Sequence, residues 1–151
     1  MNKFLCLTLR LQFVRLYQFQ PFIRTEKENG NVALSLTSLP PNVDDPKQTA
    51  EAEIISRFLN AVVDKEPQLV GFKSANAELK ILVQRANSNS VQASKFAKRP
   101  NKPWEDYDYF DTRNSEGHID LIQILGGFGK AAPSPNDMVS ICEIPSKLGV
   151  I

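Results

Sequence analysis

The sequence is poor in the residues that build soft metal centres and disulfides. Its 151 residues include two cysteines and one histidine. Cys6 and Cys142 lie far apart in the chain and fit no metal-ligand spacing. We therefore expect both to be buried, reduced thiols in a cytoplasmic protein.

An excess of charge of one sign and long apolar runs are also missing. The formal net charge is +1, which argues against a strongly basic nucleic-acid-binding arm but leaves room for a local basic groove. The apolar run Phe4–Leu7 is broken by Thr8 and Arg10, so it is too short for a signal peptide or a membrane span. With 42% hydrophobic and 23% charged residues, the composition predicts one globular domain over residues 1–151.

Carboxylate side chains are absent from the start of the chain, where Glu26 is the first acid. Between Leu5 and Phe13, apolar residues alternate with others at the period of a half-buried strand. We interpret this pattern as one strand, bent near Val14 and continuing to about Phe19.

The middle of the chain carries signals for a hairpin and a helix. Asn29-Gly30 predicts a tight turn, with a return strand over Val32–Thr37. A helix is predicted from Asp45-Pro46 or Thr49 to about Asp64. With further helices near the C-terminal end, the order of elements indicates an α/β domain whose mixed sheet is antiparallel first and parallel after a crossover.

The stretch Leu69–Ala86 has the pattern of a strand, a short turn and a helix. Leu69–Phe72 suits a strand buried on both faces, and the later apolar residues recur at three- and four-residue spacing, as on one face of a helix. The turn lies at the carboxyl end of the strand, where open α/β sheets place their ligands. Glu78, on the first turn of the helix, is the only carboxylate in this segment.

Residues 72–86 resemble the second exonuclease motif of predicted 3′–5′ exonucleases related to the proofreading domain of family B DNA polymerases. Glu78 stands at the Asp position of that motif, and Lys73 stands at its Asn position. Residues 115–125, which contain His118 and Asp120, are similar to the family's His-x-Asp-Leu motif.

The end of the chain extends this resemblance. Residues 134–139 resemble the family's Ser-Leu-Asp helix, and residues 144–147 resemble its Leu-Pro-Gly-Lys turn. The resemblance therefore covers about 51–149, whereas residues 1–22 are atypical. It implies an α/β fold with a ribonuclease H-like mixed sheet and flanking helices, incomplete at both ends.

The resemblance also implies a chemistry. Such exonucleases hydrolyse nucleic acid with two Mg²⁺ or Mn²⁺ ions held by four carboxylates, two of them in an Asp-x-Glu on the first strand and one in a late Tyr-x-x-x-Asp. This chain has no acid on its first strand and no Tyr-x-x-x-Asp after Leu148, so Glu78 is the one catalytic and metal-ligand candidate.

Three outcomes stay open at this point. The chain could be an exonuclease acting on single-stranded nucleic acid, with DNA favoured over RNA and its activity impaired. It could instead bind nucleic acid without catalysis, or be a poorly stable gene remnant. The candidate nucleic-acid contacts, taken from the second motif and from the basic stretch that follows its helix, are Lys73, Ser74, Asn76, Lys95, Lys98 and Arg99.

Each candidate also has a structural interpretation. Lys73 and Glu78 can be a solvated pair at a helix N-terminus, and the basic stretch can be a solvated loop. For Asp120 we expect bonds to backbone at a strand-to-helix junction, with His118 packed nearby. Around Glu78 we expect no cluster of three or more carboxylates, because the facing strand would offer only residues such as Leu9, Leu11, Phe13, Arg10 and Arg15.

Overall fold

The structure, a computed structural model, describes residues 3–6, 9–12, 15–102, 105, 107–126 and 133–141. Their elements are, in order, β1 (Lys3–Cys6), β2 (Leu9–Gln12), β3 (Arg15–Phe19), β4 (Phe22–Glu26), β5 (Val32–Leu36), α1 (Glu51–Lys65), β6 (Gln68–Gly71), α2 (Glu78–Ser88), β7 (His118–Asp120), α3 (Leu121–Leu125) and α4 (Pro135–Ile141). None of the helices in these ranges is long and apolar enough to cross a membrane.

The main sheet has five strands in the order β5-β4-β1-β6-β7. β4 is antiparallel to both β5 and β1, whereas β6 is parallel to β1 and to β7. A hairpin joins β4 to β5, and α1 and α2 lie in the crossovers that lead to β6 and β7. This is the mixed α/β sheet that the sequence predicts, antiparallel first and parallel after a crossover, and the atypical first residues supply its central strand, β1.

The structure contradicts the single N-terminal strand expected from alternation. β1 ends at Cys6, and β2 and β3 form a separate antiparallel pair in which Leu9 lies opposite Phe19 and Gln12 opposite Arg15. The prediction is wrong because alternation has the same period in one long strand and in two strands that fold back on each other. Val14, the expected bend, lies outside the described residues.

The predicted hairpin at Asn29-Gly30 is confirmed. Gly30 has a φ of 77°, which glycine adopts without the steric penalty of a Cβ. The Lys27 amide donates to the carbonyl of Asn31 over 2.8 Å and closes the turn. β5 ends at Leu36, one residue before the predicted end.

α1 and α2 pack against the same face of the main sheet. Leu5 and Leu69 are buried there, and ring stacking of Phe19 on Phe58, with centroids 4.3 Å apart, attaches β3 to α1. The buried apolar residues of this core are Leu5, Leu16, Phe19, Ile54, Ile55, Phe58, Leu59, Val62, Leu69, Leu79, Leu82, Ala86, Phe96 and Tyr109. The core therefore fixes β6 and α2, the two elements that flank the candidate site.

Candidate functional site

The turn between β6 and α2 is held in an unusual backbone conformation. Lys73 has a φ of 60°, in the left-handed region that residues with a Cβ adopt at a cost. The carbonyl of Lys73 accepts from the Ala77 amide at 3.1 Å, and the carbonyl of Ser74 accepts from the Leu79 amide at 3.0 Å. These bonds wind the chain into α2, so that Glu78 occupies its first position.

Asp120 fixes this turn from the neighbouring strand. Its Oδ1 accepts from the Lys73 amide at 2.7 Å, and its Oδ2 accepts from the Ala75 amide at 3.1 Å. Oδ1 also accepts from the Ile122 amide at 3.3 Å, at the start of α3. Gly71 and Asp120 are register partners in parallel strands, which brings the carboxylate to the turn. Asp120 thus bonds backbone at a strand-to-helix junction, as expected from the sequence.

His118 ties the same turn to the 107–110 segment. Its Nδ1 lies 2.9 Å from the carbonyl oxygen of Tyr109, and its Nε2 lies 2.7 Å from Ser74 Oγ. A carbonyl can only accept, so Nδ1 carries the proton and Nε2 accepts from the hydroxyl. Burial lowers the pKa of His118, which favours the neutral ring. Its two hydrogen bonds position the turn against the 107–110 segment.

This arrangement corrects one predicted contact. Ser74 is fully buried and its hydroxyl is engaged by His118, so the side chain cannot reach a nucleic acid. Lys73 and Asn76, in the same turn, are exposed. Sequence spacing places all three residues together but does not distinguish the inward side chain from the outward ones.

Glu78 is not the solvated partner of Lys73. Its Oε2 is buried and has no hydrogen-bond partner among the described residues, and these residues show no ion pair between Glu78 and Lys73. Burial raises the pKa of the Glu78 carboxyl, and the nearby Asp120 carboxylate raises it further. The interpretation as a solvated pair is therefore wrong.

The strand beside β6 is also different from the one expected to face Glu78. β1 lies there, with Leu5 opposite Leu69 and Cys6 opposite Val70. The residues expected to face Glu78 belong instead to the separate β2–β3 sheet, and these are Leu9, Leu11, Arg10 and Arg15. Phe13 lies outside the described residues. Lys3–Cys6 contains no carboxylate.

The residues that the structure describes do not fit a two-metal centre. Mg²⁺ and Mn²⁺ take oxygen ligands, and two such ions need several carboxylates between them. Asp120 is buried and accepts three backbone N–H groups, so Glu78 is the carboxylate at this turn that the backbone does not engage. Over the described ranges, no group of three or more His, Cys, Asp or Glu side chains could hold a metal ion.

The basic loop after α2 is exposed and anchored by aromatic packing. Lys95, Lys98 and Arg99 are exposed, and Arg99 Nε lies 2.8 Å from Asp108 Oδ2. Phe96 is buried between the rings of Tyr109 and Phe110 and holds the loop to the 107–110 segment, with centroid distances of 5.3 and 5.6 Å. The Tyr109 carbonyl of the same segment accepts the hydrogen bond from His118. The 107–110 segment therefore contacts both the basic loop and the turn after β6.

A groove beside α2 was not predicted from the sequence. It has a volume of about 520 Å³ and is lined by Ala75, Asn76, Leu79, Lys80, Val83, Gln84, Phe110, Thr112 and Gln123. Thr112 donates to Gln123 Oε1 at 2.6 Å, and Lys80 donates to Asn76 Oδ1 at 3.1 Å. No short motif signals this groove, because its walls come from segments far apart in the chain.

Comparisons with known proteins give a family and one structural likeness. A family model described as "Predicted 3'-5' exonuclease related to the exonuclease domain of PolB" matches residues 12–151. No curated protein matches the chain. A crystal structure of E. coli exonuclease I in complex with a dT13 oligonucleotide is similar at 13% sequence identity and a TM-score of 0.43, over 91% of this chain and 33% of that one. The chain thus spans about a third of the length of that exonuclease.

Proposed function

The chain belongs to the family of predicted 3′–5′ exonucleases related to the exonuclease domain of PolB, and from that premise we propose that it binds single-stranded nucleic acid ends without hydrolysing them. One observation carries this proposal. Where the family pattern has a carboxylate cluster, the described residues offer Glu78, because Asp120 bonds backbone and β1 has no carboxylate.

The lack of hydrolysis follows from electrostatics. Two dications held close together repel each other, and carboxylates must offset both that repulsion and the loss of hydration. A single half-buried carboxyl with a raised pKa supplies at most one negative charge. Lys73, exposed on the same turn, adds a positive charge instead. Mg²⁺ or Mn²⁺, which the family resemblance implies, therefore has no adequate site among the described residues.

Binding is supported by the exposed polar and basic groups around the turn. Lys73 and Asn76 face solvent, and the adjoining groove carries Lys80 and no carboxylate in its lining. Phe110 adds an aromatic wall of the kind on which bases stack. Lys95 and Lys98 extend the basic surface along the loop. We assign DNA single strands as the preferred partner, since the family is related to a DNA polymerase domain.

Salt-dependent binding tests this part of the proposal. Fluorescence anisotropy of a 5′-labelled single strand should report binding that weakens steeply between about 50 and 200 mM salt. The double variant Lys95→Gln with Lys98→Gln should make the slope of log binding constant against log salt concentration shallower, by about 0.7 for each phosphate that is no longer neutralised. The matched control removes two exposed lysines elsewhere, Lys27→Gln with Lys47→Gln, and should leave the slope unchanged. Absence of binding at low salt, or binding that ignores salt, would overturn the proposal.

A further inference from the structure

β5 is an edge strand of the main sheet. It lies first in the strand order and pairs with β4, and no other strand of the described ranges pairs with it. Val32, Leu34 and Leu36 point to one face and are 46%, 62% and 73% exposed. An apolar edge strand of this kind is a template for pairing with another chain.

The backbone groups that face outward can be assigned from the bonds at each end of the hairpin. The Lys27 amide donates to the Asn31 carbonyl, and the Thr37 amide donates to the Pro21 carbonyl. Hydrogen-bonded pairs alternate along an antiparallel ladder. Ala33 and Ser35 are therefore bonded to β4, while the N–H and C=O groups of the three exposed apolar residues point away from the sheet.

The usual devices that protect an edge strand are missing from β5. Natural edges carry lysine, proline or a bulge that prevents pairing. Val32–Leu36 contains neither lysine nor proline, and its register with β4 is continuous. No charged residue occurs from Asn29 to Val43, so no like charges would oppose a second strand.

We propose that a second copy of this chain pairs with β5, antiparallel and about a twofold axis through Leu34. Leu34 would lie opposite Leu34 of the partner subunit, and Val32 opposite Leu36 of the partner subunit. These pairs join the outward N–H and C=O groups, and each pair exchanges two hydrogen bonds. One face then places apolar side chains against apolar ones, and the other places Ala33 against the partner's Ser35.

The order of residue types in β5 favours a second copy as the partner. The strand reads apolar, small, apolar, small, apolar, which is symmetric about its centre, as an isologous interface requires. Five residues bury little area, so the interface belongs to the weak class below about 1,200 Å² in total. The dimer is therefore concentration-dependent, and each copy keeps its own candidate site.

Sedimentation equilibrium over a range of concentrations tests the pairing. The chain should show a monomer–dimer equilibrium. Leu34→Lys and Leu34→Glu should each weaken dimerisation at least about tenfold, because two like charges then meet at the axis. Mixing the two variants should restore a dimer, since Lys now faces Glu. Val43→Lys, at a loop residue that is 64% exposed, is the control and should dimerise as the unmodified chain does.

Several outcomes would overturn the pairing. These are a monomer at every concentration, open-ended aggregation instead of a dimer, or Leu34 variants that dimerise normally. Failure of the mixture to recover a dimer, or a loss of dimer in Val43→Lys, would also overturn it. Circular dichroism of each variant shows that the fold is intact, as expected for exposed positions. Nucleic-acid binding does not enter this test, so it stands or falls separately from the proposed function.

Discussion

At the scale of single residues, Lys73 combines a strained backbone with a side chain that makes no ion pair with its neighbour Glu78. Its φ of 60° costs about 1–2 kcal/mol for a residue with a Cβ. Asparagine tolerates this region better than most residues do. An asparagine at this position, as in the motif that residues 72–86 resemble, would therefore meet the backbone requirement of the turn at a lower cost than Lys73 does.

We predict that Lys73→Gly raises the free energy of unfolding by about 1 kcal/mol, because glycine removes the Cβ clash. Lys73→Ala is the matched variant, since it removes the charge but keeps the Cβ, and it should leave stability unchanged within about 0.5 kcal/mol. Urea unfolding of the three chains measures both. An equal gain in the two variants would show that charge, and not backbone strain, is the cause.

Glu78 gives the site a pH dependence of definite sign. Its pKa is raised above the ordinary 4.5 by burial and then by Asp120. The carboxyl therefore contributes its full stability below the pKa that it has in the unfolded chain. That stability is lost as the pH rises through the pKa that it has in the folded protein. Glu78→Gln cannot ionise, so its stability relative to the unmodified chain should be greater at about pH 7 than at about pH 4. A difference that is constant across this range, measured by urea unfolding, would contradict the assignment.

At the scale of secondary-structure elements, one partly buried ion pair joins three of them. Glu51, at the start of α1, accepts from Arg85 Nε of α2 at 2.7 Å and from the Leu16 amide of β3 at 2.8 Å. The Arg85 hydrogen bonds, followed by that of the Leu16 amide, lower the pKa of Glu51 to about 2 despite burial. The pair therefore fixes the β2–β3 unit and α2 to the same helix end.

Breaking this pair should cost much more than breaking a surface pair. Arg85→Met leaves the buried carboxylate of Glu51 without its partner and should lower the free energy of unfolding by more than about 1 kcal/mol. Arg57→Met breaks the exposed pair with Glu53 and should cost less than about 1 kcal/mol. The Arg85→Met deficit should shrink as the pH falls from 4.5 towards 2, where Glu51 becomes protonated. Equal losses in the two variants at neutral pH would contradict the account.

The elements differ in how well local patterns predict them. Asn29-Gly30 predicts one hairpin, and the three- and four-residue spacing of apolar residues predicts α2, because these signals depend on backbone sterics and on a single buried face. The start signals at Asp45-Pro46 and Thr49 predict α1 but place its start two to six residues too early. The sequence does not predict the β2–β3 hairpin, because apolar and other residues alternate with the same period in two paired strands as in one long strand. The Glu51–Arg85 pair could not be predicted either, since it joins residues 34 apart in the chain.

At the scale of the whole molecule, parallel pairing assembles the site from distant segments. Asp120 reaches the turn after β6 because β7 lies beside β6, although 45 residues separate it from Ala75. The motif around Glu78 and the absence of acids in β1 were evident from sequence. The inward position of Ser74, the buried Oε2 of Glu78 and the groove beside α2 depend on tertiary packing, and no local pattern encodes them.

The measurement that tests the central claim most directly is the length of a bound single strand over time. A 5′-labelled DNA oligonucleotide is incubated with excess protein and Mn²⁺, and its length is read on a denaturing gel. We predict a strand that stays full length while bound, with Mg²⁺ as with Mn²⁺, and also with the double variant Lys73→Asn and Glu78→Asp, because one carboxylate still cannot hold two ions. Shortening from the 3′ end that requires the metal and is abolished by Glu78→Gln would contradict the claim and identify an active exonuclease.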